Sequence, residues 1–142
     1  MTGTTITPYL FFGGRCEEAV AFYRTALGAE VEVLMRYDES PEPPPPGMLQ
    51  AGFEKKVMHV SLRIRGALLM ASDGRDSRSN FDGLQLALAV PTEADARRAF
   101  DALAVGGSVQ MPLARTFWSP CFGMVTDPFG VCWMVTVPDP AN

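Results

Sequence analysis

Apolar side chains change their spacing along this chain, and each change marks an element. Ile6 to Phe12 is rich in aromatic and β-branched residues and ends at Gly13-Gly14, which predicts a first strand and a turn, with Pro8 at an edge or a bulge. From Cys16 to Leu27 the positions Ala19, Phe22, Tyr23, Ala26 and Leu27 trace one face of a helix. Glu17 and Glu18 suit its first turn, and Gly28 ends it. Val31 to Tyr37 alternates, with Val31, Val33, Met35 and Tyr37 on one face, and predicts a second strand. Asp38 to Lys56 holds Pro41, Pro43 to Pro46, Gly47 and Gly52, and reads as a long exposed loop. Val57 to Arg65 then sets Met58, Val60, Leu62 and Ile64 against His59, Ser61, Arg63 and Arg65. Arg65-Gly66 turns it into a hairpin with Ala67 to Ser72.

After a polar loop, Asp73 to Asp82, the same order returns. Leu84 to Val90 predicts a strand. Thr92 to Leu103 predicts a helix with a Thr92-x-x-Asp95 capping box, a stripe of Ala96, Ala99, Phe100 and Leu103, and a stop at Gly106-Gly107. Ser108 to Leu113, Cys121 to Asp127 and Val131 to Val137 predict three strands, the last two joined by the turn Asp127-Pro128-Phe129-Gly130. Strand, helix, three strands occurs twice. The expectation is an α+β domain made of two modules, residues 1–75 and 76–142.

Composition narrows the function classes. A chain of 142 residues that is 47% hydrophobic buries a sufficient core without disulfides or a structural metal. Its net charge is -4 and its arginines are scattered, so nucleic acid is not an expected partner. No apolar run approaches the roughly 20 residues that a membrane-crossing helix needs. Cys16, Cys121 and Cys132 form no C-x-x-C pair and no secretory leader is read, so the expected location is the reducing cytoplasm.

Pro8-Tyr9-Leu10-Phe11-Phe12, Glu18-Ala19, Phe22-Tyr23 and Leu27-Gly28 are followed by Met58-His59, Gly66 to Asp73 and Gly106-Gly107. Thr116-Phe117-Trp118, Phe122-Gly123 and Asp127 to Trp133 close the series. In order and spacing these strings resemble the PhnB-like branch of the vicinal oxygen chelate superfamily, the glyoxalase, bleomycin-resistance and dioxygenase group. The resemblance implies paired βαβββ modules, each curling a mixed sheet around a ligand cavity, and assembly as a homodimer.

Metal-using relatives place His, Glu or Gln on the first and last strands of each module, around an ion with open positions. The corresponding strands here offer Tyr9, Leu10 and Phe11, then Met70, Ala71 and Ser72, then Gln85, then Met134. Gln85 alone is a weak donor, so no metal and no cofactor is expected. His59 is the sole histidine and reads either as a pocket group, with Arg63 on the same face, or as an ordinary strand residue. Cys16, at a helix start, is the best placed thiol, while Cys121 and Cys132 read as core. Tyr9, Phe11, Met70, Trp118, Trp133 and Met134 are candidates for an apolar pocket, the competing reading being that they fill the core. Met48, Leu49 and Phe53 are candidates for a lid supplied by the Pro-rich loop. Some members of this branch carry a methyltransferase label, for which the sequence shows no Gly-rich turn between a strand and a helix. The reading is a small-molecule binding protein, with a vicinal oxygen chelate enzyme acting on a small oxygen-bearing substrate as the alternative.

Overall fold

The computed structural model describes residues 3–140. The chain divides into two compact units, the first running to Ser79 and the second starting at Asn80, within the polar loop between the two predicted modules. Both have the order strand, helix, three strands, in agreement with the α+β, two-module reading.

The first unit holds β1 (Tyr9–Phe11), α1 (Cys16–Leu27), β2 (Glu30–Arg36), β3 (Val57–Ile64) and β4 (Ala67–Ser72). Its sheet runs β1-β4-β3-β2, with β1 parallel to β4 and the other pairs antiparallel. Cys16, Ala19, Val20, Tyr23 and Leu27 bury one face of α1, and Gly28 closes it with φ at 70°. A left-handed residue costs glycine little, and its N–H satisfies the Arg24 carbonyl. Leu10, Val60, Leu62 and Ala71 form the strand side of this core, each 2% exposed or less. β3 and β4 meet at Arg65 (φ 50°) and Gly66 (φ 87°), the pair of left-handed residues that a two-residue hairpin requires.

Three details differ from the alternation pattern. β1 is shorter than Ile6 to Phe12 because its ladder begins beyond Pro8, which has no N–H to give, and Ile6 stands 95% exposed. β2 ends one residue early, since Tyr37 enters a short 3-10 turn and sends its hydroxyl to the Gly74 carbonyl at 2.7 Å. The Pro-rich segment is not simply exposed. Phe53 is 4% exposed and lies over Gly14, and the Gln50 amide oxygen accepts from the Ser77 N–H and hydroxyl at 3.0 and 3.1 Å. Proline and glycine content predicts the absence of a strand, but it is silent about a single aromatic that anchors the loop.

Bulges set which side chains share a face. Val31 pairs with Leu62 and Val33 with Ser61, so Glu32 is an extra residue in β2. Met58 is likewise extra in β3, between the pairs Met35 with His59 and Arg36 with Val57. That interruption explains why Val57 and Val60 are both buried although their spacing breaks a period of two. Asp73, 1% exposed, locks the unit at one end of the sheet. Its Oδ1 accepts from the N–H groups of Gly14 and Cys16 and its Oδ2 from that of Val57, all at 2.8 Å.

The second unit holds β5 (Gln85–Ala89), α2 (Glu93–Ala104), β6 (Ser108–Ala114), β7 (Cys121–Thr126) and β8 (Cys132–Val137), with sheet order β5-β8-β7-β6. The Asp95 N–H donates to Thr92 Oγ1 at 3.1 Å, which is the Thr92 half of the predicted capping box, while Asp95 Oδ1 accepts from Arg98 at 3.1 Å. Ala96, Ala99, Phe100 and Leu103 are buried as the stripe predicts. Phe100 lies so near Gly123 that a Cβ there would come within 2.8 Å of its ring. Gly123 and its partner Val135 therefore mark the sheet face covered by α2.

Candidate functional site

Strand alternation decides which side chains are presented. Leu10 and Phe12 face α1, the Phe12 ring lying 6.2 Å from Tyr23, so Tyr9 and Phe11 stand on the opposite, open face at 38% and 52% exposure. Met70 on β4 is in register with Tyr9, and Ser61 on β3 is in register with Met70. His59, two residues before Ser61, shares that face.

These groups are bonded to one another. Tyr9 Oη and His59 Nδ1 share a hydrogen bond of 2.9 Å, and His59 Nε2 and Ser61 Oγ share another of 3.0 Å. The Phe11 and His59 rings flank Tyr9 with centroids at 5.2 and 5.6 Å. Burial pushes the Tyr9 phenol above its ordinary value, and a hydrogen bond with Ser72 pulls the other way. Burial also raises the Tyr37 phenol, and the neighbouring Tyr9 adds to the effect. Both phenols are therefore neutral at pH 7, the state in which they donate hydrogen bonds. The open face of the first unit combines a hydroxyl–imidazole–hydroxyl chain with the apolar Phe11 and Met70. Such a surface fits a small ligand that carries both an oxygen and an apolar body.

Tyr37 is absent from the site residues singled out in the sequence, and Ser72 is named there only at a strand position where it is no metal ligand. Tyr37 looked like the last residue of an alternating strand, and Ser72 like the end of another. Ser72 comes near Tyr9 because β1 pairs in parallel with β4, and Tyr37 is held by its bond to the Gly74 carbonyl just beyond β4, neither of which local periodicity reveals.

The other candidates are placed differently. Arg63 shares the His59 face, but its guanidinium is engaged by Glu32 at 3.1 Å and the Gly66 carbonyl at 3.1 Å. Leu49 lines a small cleft with Tyr37, Pro43 and Pro44, Met48 is half-buried, and Phe53 is buried against Gly14. In the second unit Trp133, 3% exposed, sits on the α2 face and donates from Nε1 to Asp127 Oδ2 at 2.9 Å. Met134, the next residue, points to the opposite face, in register with Ala87 and Met124. Trp118, 43% exposed, packs edge-on against Phe122 at 5.3 Å. Gln85 lines a cleft of about 510 Å³ with Leu84, Thr126 and Cys132.

A divalent ion of the kind that related folds hold does not suit the residues at these strand positions. Tyr9, Ser72, Gln85 and Met134 include no carboxylate and no imidazole, and His59 is occupied at both ring nitrogens. Among the described residues no three of His, Cys, Asp and Glu gather where they would hold a metal. Cys16 is not a nucleophile of the usual helix-start kind, because burial and the Asp73 carboxylate push its thiol far up. The Gly13-Gly14 turn does not form a phosphate cradle, since Asp73 takes the Gly14 and Cys16 N–H groups.

Residues 5–135 match the family described as the Glyoxalase/Bleomycin resistance protein/Dioxygenase superfamily. The chain is 36% identical over 140 residues to Protein YjdN of Escherichia coli, covering 93% of this chain and 94% of that protein. Among solved structures it is similar to protein PA1353 from Pseudomonas aeruginosa, at 43% identity, with a TM-score of 0.83 and coverage of 96% and 98%. It is also similar to the PhnB protein from Bacillus cereus, whose name proposes a 3-demethylubiquinone-9 3-methyltransferase, at 29% identity, with a TM-score of 0.76 and coverage of 94% and 99%.

Proposed function

Because the chain belongs to the Glyoxalase/Bleomycin resistance protein/Dioxygenase superfamily, we propose that it is a PhnB-like small-molecule binding protein that holds its ligand without a metal ion. The observation that carries this reading is the Tyr9–His59–Ser61 chain on an open, partly apolar sheet face, taken with Tyr9, Ser72, Gln85 and Met134 at the first- and last-strand positions where a metal-using fold needs carboxylates and imidazoles. Tyr9 and His59 supply the polar recognition of the ligand, and Phe11 and Met70 supply apolar contact. The protein acts as a homodimer, a reading supported by the exposed valines Val31 and Val33 of one edge strand and Val109 of the other. Its free cysteines suit the reducing cytoplasm, and no helix of the described residues is long and apolar enough to cross a membrane.

One observation favours the alternative, an enzyme of the vicinal oxygen chelate type. An imidazole held between a phenol and a hydroxyl is the setting of a general base for a small oxygen-bearing substrate.

Mass spectrometry of untagged protein under native and then denaturing conditions identifies a co-purifying small molecule, and elemental analysis runs beside it. The expected result is a ligand without stoichiometric divalent metal, bound more weakly by Tyr9→Phe and His59→Ala proteins of unchanged stability. Zinc, nickel, manganese or iron at about one per chain, lost on substituting His59 or Gln85, overturns the metal-free reading. Conversion of the identified compound by wild-type protein, abolished in His59→Ala, favours the enzyme.

A further inference from the structure

The second unit presents a different surface on the face away from α2. Met111 pairs with Met124 and Met124 pairs with Met134, so three thioethers from β6, β7 and β8 stand side by side in one row. The bulge at Gln110 makes this row possible. Val109 pairs with Val125, which is fully buried, and the extra residue brings Met111 round to the side of Met124. Directly opposed residues in antiparallel strands have Cβ atoms only about 5 Å apart, within the reach of three flexible methionine side chains. Cys132 lies on the same face, two residues before Met134, half-exposed and with a free thiol.

A row of methionines has an ordinary explanation as apolar filling, but this row is not filled over within its own unit. Met111 is 38% exposed, and Met124 and Met134 are half-buried. Four soft sulfur donors with no nitrogen or carboxylate among them discriminate strongly by metal type. Thioether and thiolate ligands select Cu(I) and similar thiophilic ions over Zn(II), Mg(II) or Mn(II).

We propose that Met111, Met124 and Met134, with Cys132 as a fourth donor, form a binding site for a thiophilic monovalent ion of the Cu(I) class on the second unit. Met124, the middle member, is in register with a methionine on either side and is the donor that any ion held on the row would share. All four donors belong to the second unit, and the proposal does not depend on the function proposed for the Tyr9–His59 face.

The test is anaerobic titration of the full-length protein with Cu(I) against a chromophoric Cu(I) chelator, with Zn(II) in parallel. Expected is uptake of about one Cu(I) per chain and no competing uptake of Zn(II). Met124→Leu keeps the volume and apolar character of the side chain, so folding, followed by thermal melting, is expected to be unchanged while Cu(I) affinity falls about tenfold or more. Met58→Leu, in the first unit, is expected to leave affinity unchanged. X-ray absorption of the loaded protein is expected to show a sulfur-only shell. Failure to draw Cu(I) from the chelator, equal affinity in Met124→Leu, or a shell of nitrogen and oxygen would each overturn the proposal.

Discussion

At the scale of single residues, Asp73 organises the first unit more than any residue on the open face. One buried carboxylate serves three N–H groups from the β1–α1 turn and the start of β3, and so fixes both ends of the segment that carries Tyr9 and His59. Asp73→Asn replaces an acceptor oxygen by a donor that opposes an N–H, and is expected to cost roughly 2–3 kcal/mol in urea unfolding with an unchanged m-value. The cysteines give a second prediction. Burial raises the thiols of Cys16 and Cys121, and both side chains are shielded, whereas Cys132 is half-exposed. Iodoacetamide labelling of native protein at pH 8, read by peptide mass spectrometry, is expected to modify Cys132 first and the others only on unfolding. Residue-scale chemistry was partly legible in the sequence. His59, Tyr9, Phe11 and Met70 were singled out and share a face, whereas Trp133 and Met134, adjacent on one strand, necessarily point to opposite faces.

Between elements, the Arg36 guanidinium of β2 grips the Glu17 carboxylate of α1 in two bonds of 3.0 and 2.7 Å. The hydrogen bond from Arg36, first, and its charge hold the Glu17 carboxyl below its ordinary value of 4.5. A depressed folded-state value means that the pair stabilises the fold above the unfolded value and ceases to do so as pH falls through the folded one. Glu17 is well exposed and Arg36 partly so, and the effect is therefore small and sensitive to salt. Glu17→Gln is expected to lower the unfolding midpoint slightly at pH 7 and not at pH 3, with the pH 7 difference shrinking in 1 M salt. The Pro-rich segment supplies the next prediction. Phe53 is an anchor while Met48 and Leu49 are half-buried, so the lid and the anchor separate by mutation. If Met48 and Leu49 cover a bound ligand, replacing both by Ser weakens its binding in calorimetry with little change in stability, whereas Phe53→Ala destabilises by about 3 kcal/mol. Equal affinity in the Ser variant would leave the loop as a connection. Elements bounded by glycine signals, such as α1 and the β3–β4 hairpin, were legible almost to the residue. β1 and β2 were less so, because the ladder of β1 begins only beyond Pro8 and β2 gives way at Tyr37 to a 3-10 turn held by the Gly74 carbonyl.

For the whole molecule, the repeat of strand, helix and three strands was readable twice from periodicity alone. The parallel closure of each sheet was not, because no local pattern records which strand pairs with which. Exposed valines on β2 and β6 are expected to be covered by a second copy, giving a dimeric mass in light scattering at micromolar concentration; a monomer there would remove the homodimer from the proposed function. The closure of the sheets also has a kinetic side. In each unit the first strand is bonded to the last, Tyr9 opposite Met70 and Gln85 opposite Cys132, while the strands between are joined locally. A refolding or nascent chain forms the tight β3–β4 hairpin within microseconds, but β1 has nothing to pair with until β4 exists, and docking it closes a long loop at an entropic cost. Tyr9 therefore reaches His59 only in the closing step, so partly folded chains carry a helix and a hairpin but not the Tyr9–His59 hydrogen bond, and binding of a ligand at the proposed site would report completed folding of the first unit.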